Sequence, residues 1–133
     1  SGIIEAVDEG FTQQSPDGLS IPSGLYEPAL IEAFKNYLRV LTTLNVETPV
    51  FVFLSLVGVK GYTMATNTLV FRNERRRDHY LIDRDCLLLP EIIIEDYASN
   101  IENLMKNCFD SLWNACGYSS SPHYNEEGKW ELK

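Results

Sequence analysis

Long hydrophobic runs are missing from this sequence of 133 residues. No stretch approaches the roughly 18 to 20 apolar residues that span a bilayer, so no membrane segment is expected. Cysteine is scarce: Cys86, Cys108 and Cys116 are an odd set, and their spacing matches neither a disulfide framework nor a CxxC zinc knuckle. Free, reduced thiols in the cytoplasm are the simpler expectation. Positive charge is also short, with 11 Lys and Arg against 19 Asp and Glu, a net charge of −8. Such a chain repels the phosphates whose neutralisation drives most nucleic-acid affinity. Nor does the amino end carry a charged segment followed by an apolar one, so export is not expected.

What is present is enough for one globular unit over residues 1–133, with 44% hydrophobic residues to build one core. In LYEPALIEAFKNYLRVLTTL, Leu30, Ile31, Phe34, Tyr37, Leu38 and Leu41 fall on one face of a helix of period 3.6, with Pro28 placed in its first turn. A second amphipathic helix is predicted from Ile101, Leu104, Met105, Cys108, Leu112 and Cys116. Ser99 is its expected N-cap with Glu102 closing a capping box, and Gly117 its C′ residue.

PVFVFLSLVGV is apolar on both faces and β-branched or aromatic, which predicts a central strand covered on both sides. Shorter strands are expected at Ile3 to Val7, Leu69 to Phe71, Tyr80 to Ile82, Cys86 to Leu89 and Ile92 to Ile94, the last two hinged at Pro90. Gly58 and Gly61 in GVKG mark a bend, since the match to a phosphate-binding GxxxxGK[ST] loop is poor. The expectation is an α+β fold, an α/β sandwich with a mixed sheet of about five strands and two main helices in the order β-α-β-β-β-β-α.

Three groups of side chains could carry chemistry. Cys116 and His123 lie in the closing FDSLWNACGYSSSPHYNEEGKW, but Cys116 is at a helix C-terminus, where the dipole disfavours a thiolate. As a metal site they would need His79 and Cys86, at spacings unlike zinc motifs. Asp83 and Asp85 in IDRD would point the same way on an extended strand, with Arg84 opposite, and such a pair could bind a cation or share a proton. Arg72, Arg75, Arg76 and Arg77 in RNERRRDH concentrate positive charge at a predicted hairpin tip, which could contact a phosphate or an acidic neighbour. No catalytic residue, metal ligand or cofactor is assigned from these.

GIIEAV, IPSGLYEPALIEAF, PVFVFLSLVGVKGYTM, IDRDCLLLPEIIIEDY and the closing stretch resemble the carboxy-terminal region of bacterial proteins whose amino-terminal part is an AlbA_2, or Schlafen-type, domain. Those proteins are labelled ATP-binding proteins or transcriptional regulators. The labels belong to the AlbA_2 part, so the resemblance transfers no site residue here. It implies an accessory domain of a longer protein, entered abruptly at GIIEAV, that senses a ligand, oligomerises or contacts a partner. The partners expected are the preceding domain of the same chain and possible further copies. The arginine tip, the loop from Ser15 to Gly24 and the aromatic tail are the candidate contact surfaces, although the two Trp and two Tyr of the tail are expected to close the domain's own core. The opposing readings are a small enzyme using Cys116 with His123 or Asp83 with Asp85, and direct nucleic-acid contact through Arg72, Arg75, Arg76 and Arg77.

Overall fold

The computed structural model describes residues 3–10, 12–15, 18–66 and 80–133. Among these the order is β1 (Gln13–Ser15), β2 (Gly18–Pro22), α1 (Ser23–Thr43), β3 (Val50–Val52), β4 (Ser55–Val57), β5 (Thr63–Ala65), β6 (Cys86–Leu88), β7 (Ile92–Ile94) and α2 (Ile101–Ala115). The fold is α+β with two main helices. Its strands divide among three small ladders, β1-β2-β5, β3-β7 and β4-β6.

Helix α1 begins at Ser23, so Pro28 lies inside the helix and not in its first turn. Its buried stripe is Ser23, Tyr26, Glu27, Ile31, Phe34, Leu38 and Leu41. The helix stops in a Schellman arrangement: Asn45 takes φ 54, its N–H donates to Thr42 O, and the Val46 N–H donates to Leu41 O. Helix α2 buries Ile101, Met105, Cys108, Phe109, Leu112 and Trp113. Asn100, not Ser99, is its N-cap, with Oδ1 accepting from the Asn103 N–H at 2.9 Å. That shift puts Glu102 one place too early for a capping box, and it pairs instead with Lys35 of α1. Gly117 is the C′ residue as its position suggested. Its φ is +85, the Tyr118 N–H returns to Trp113 O, and the two rings of Trp113 and Tyr118 meet edge-on at 5.0 Å.

The ribbon between the helices is set by one inserted residue. β3 pairs antiparallel with β7 up to Val52↔Ile92, and β4 pairs antiparallel with β6 from Ser55↔Leu88. Phe53 and Leu54 lie between these pairs on one strand, against Leu89, Pro90 and Glu91 on the other. The extra residue is a β-bulge. Proline suits it, because Pro90 has no N–H to leave unpaired, and its carbonyl accepts from Cys108 Sγ at 3.1 Å. A strand turns over each side chain in succession, so without the insertion Ile92 and Ile94 would face away from Leu87 and Leu89. With it, all four are buried under the helices. Pro90 therefore re-phases the strand rather than ending it.

Beyond β4 the ribbon continues through Val59 N–H to Asp85 O and through Gly61 and Ile82. β5 then pairs parallel with β2, the product of a β-α-β path through α1. Two sequence expectations are corrected. Residues 3–10 form no strand, and Ile3 and Val7 are exposed: apolar composition makes no strand without a partner for its backbone groups. Among the described residues, 50–57 are covered on one face only, with Phe51, Phe53 and Val57 exposed on the other. The expected strand at Leu69 to Phe71 lies outside the described residues, and Tyr80 to Ile82 belongs to no strand, with Ile82 hydrogen-bonded through its backbone to Gly61 and Tyr62.

Candidate functional site

Arg72, Arg75, Arg76, Arg77 and His79 lie outside the described residues. Asp83 and Asp85 are both exposed. Arg84 does not point away from the pair: its Nε donates to Asp83 Oδ1 at 2.8 Å and holds that carboxyl below its ordinary range. The expected strand geometry is lost because residues 84 and 85 form a bend.

The Cys116 thiol is buried, and burial pushes it up to about 11, as it does Cys108. Neither thiol is poised as a nucleophile at neutral pH. His123 is also buried, but its Nδ1 accepts from the Lys133 N–H at 3.0 Å, and its Nε2 meets no partner. No cluster of three or more metal-capable side chains occurs among the described residues.

The tail is instead organised around a residue that sequence reasoning left unassigned. Glu27 is 0% exposed on the inner face of α1. Its Oε1 accepts from Trp113 Nε1 at 2.8 Å, Ser121 Oγ at 2.7 Å and Tyr26 OH at 3.1 Å. Its Oε2 accepts from Trp130 Nε1 at 2.7 Å. Four donors from α1, α2 and the tail thus converge on one carboxylate, which is what its burial requires. Burial and the adjacent Glu27 carboxylate push the Tyr26 phenol well above its ordinary range, so it stays a donor. Burial pushes the His123 imidazole below its ordinary range, and the Lys133 charge adds to this against the pull of Glu27.

Around this knot, Ser121 N–H donates to Asp110 and Tyr124 OH to the Glu102 carbonyl. The tail therefore folds over both helices. Trp113 and Tyr124 are core residues, and Trp130 is half-buried, so the aromatic tail mainly closes the domain. The sequence did hold a signal for Glu27. It sits four residues before Ile31 and seven before Phe34, a carboxylate on the apolar stripe, where a charge needs several buried donors.

Two surface features remain. A shallow groove of about 280 Å³ between α1 and α2 is lined by Ile31, Lys35, Arg39, Glu102 and Trp130 among others, but Glu102 already neutralises Lys35. The larger feature is the outward face of the ribbon. Phe51 is 55% exposed, Phe53 73%, Val57 73%, Leu88 75% and Ile93 44%. Register places Phe51 beside Ile93, Ser55 beside Leu88 and Val57 beside the exposed Cys86. This face carries no acidic or basic side chain on its paired positions. None of the described helices is long and apolar enough to cross a membrane.

Comparison with known proteins finds no matching family model, no matching curated protein and no matching solved structure.

Proposed function

We propose that the chain is a non-catalytic accessory domain that works by contact, through the outward face of the β3-β7 and β4-β6 ribbon. The observation that carries this is the apolar strand run at residues 50–57. Its composition is that of a strand buried on both sides, while the described chain covers it on one. Contiguous exposed apolar faces of this kind mark interaction surfaces.

The resemblance to the region that follows an AlbA_2 domain supplies the second half of the proposal. It makes the contact serve an attached nucleotide-binding or nucleic-acid-binding module of a bacterial regulator, in the cytoplasm. The net charge of −8 supports leaving the grip on nucleic acid to that module. A thiol enzyme is disfavoured by the burial of Cys108 and Cys116, and an Asp83 and Asp85 acid pair by their exposure and by Arg84.

The test is Phe53→Asp in the intact gene product. Phe53 is too exposed for the change to unfold the domain. Loss of the product's assembly state, or of its nucleotide or nucleic-acid response, is expected. An intact product unchanged in both would refute a contact role for this face.

A further inference from the structure

Resting on that contact role, we infer that the occupant of the ribbon's outward face is a second copy of this chain, packed sheet on sheet about a two-fold axis. Three observations favour this occupant. The first is area. At ordinary side-chain sizes, the exposures of Phe51, Phe53, Val57, Leu88 and Ile93 leave about 600 Å² of mostly apolar surface. Two such faces together reach about 1,200 Å², the lower end of the range for specific, stable interfaces.

The second is charge. Each copy carries a net charge of −8, so copies repel one another except where they meet without charge. The paired positions of this face, Phe51 with Ile93, Ser55 with Leu88 and Val57 with Cys86, hold no acidic or basic group. The exposed Glu91 stands in the bulge between the two paired segments.

The third is shape. Phe51, Ile93 and Phe53 stand at one end of the ribbon, and Leu88, Val57, Ser55 and Cys86 towards the other. A two-fold axis near the middle lays the aromatic end of one copy over the aliphatic end of its mate. Such a face is self-complementary, as an isologous interface requires.

Sedimentation of the 133-residue chain over a dilution series tests this directly, with Phe53→Asp as the face variant and Val40→Glu, on the exposed side of α1, as the control. The expected result is a reversible dimer that Val40→Glu preserves and Phe53→Asp weakens by about 100-fold or more, since both mates carry the change. Circular dichroism should show both variants folded. A monomer at every concentration overturns the second copy as occupant, whether a segment of the same chain or another protein takes the face. A dimer that Phe53→Asp leaves intact, or that both variants break equally, overturns it too. These failures are distinct from failure of the contact role, which is decided by Phe53→Asp in the intact gene product.

Discussion

Replacing Glu27 by Gln keeps the shape of the side chain and takes away one of its two acceptor oxygens. Oε1 serves Trp113, Ser121 and Tyr26, and Oε2 serves Trp130. The least damaging orientation of the amide leaves its oxygen towards the first three and turns its NH2 on the Trp130 N–H. One charge-assisted hydrogen bond, worth about 1.5–3 kcal/mol, is then lost, and the other three become neutral and weaker. The total is about 3–5 kcal/mol, in line with the cost of breaking a buried charged network. A domain of this size has roughly 5–15 kcal/mol in all, so Tm should fall by about 10–20 °C. Far-UV circular dichroism during heating and in urea is the suitable assay, because it follows the helices and not the indoles at the site. Trp130→Phe, which removes only the Oε2 partner, should cost about 1.5–3 kcal/mol. If Glu27→Gln melts within about 2 °C of the parent, the four-donor knot does not hold the tail and the reasoning is wrong.

The remaining predictions concern a glycine and a histidine. Gly117→Ala should cost more than Gly61→Ala by urea midpoint. Both have positive φ, but a Cβ at Gly117 would run into the Tyr80 ring, whereas at Gly61 it meets nothing within 4 Å. The expected losses are about 2–4 and about 1 kcal/mol, and equal losses would refute the close approach of Tyr80. His123 has its folded-state value lowered, so as pH falls the unfolded chain takes up the proton first. Its contribution is complete above the unfolded value of about 6.5 and is lost as pH drops from there towards the folded value. The urea midpoint should therefore decline as pH falls below about 6.5, and His123→Phe should flatten that decline. A parent midpoint that is constant over this window would contradict it.

Much of the fold was legible because its strongest signals are periodic. The stripes of α1 and α2 follow from the spacing of Phe34, Leu38 and Leu41 and of Met105, Cys108 and Leu112, and Gly117 ends α2 where a left-handed residue is needed. The burial of Cys108 and Cys116 follows from the same stripe. Less legible was whatever depends on distant partners. Nothing local separates Asn100 from Ser99 as a cap, and the bulge at Pro90 becomes visible only once β6 and β7 are paired to β3 and β4. Glu27 was the largest miss. Its four donors come from residues 26, 113, 121 and 130, so the chain has to fold before the carboxylate acquires a reason to be buried. The apolar run at residues 50–57 was legible as strand, but not its division into β3 and β4 or the exposure of Phe51, Phe53 and Val57, and that outer face is where the proposed contact begins.

Cys86 provides the most direct test of that contact. It lies exposed on the outward face beside Val57, whereas Cys108 and Cys116 are buried, so Cys86 is the thiol open to a reagent in the native chain. Its alkylation rate, measured against chain concentration, should fall as the chain is concentrated and recover in Phe53→Asp. A rate that is the same at every concentration would contradict a face buried between copies.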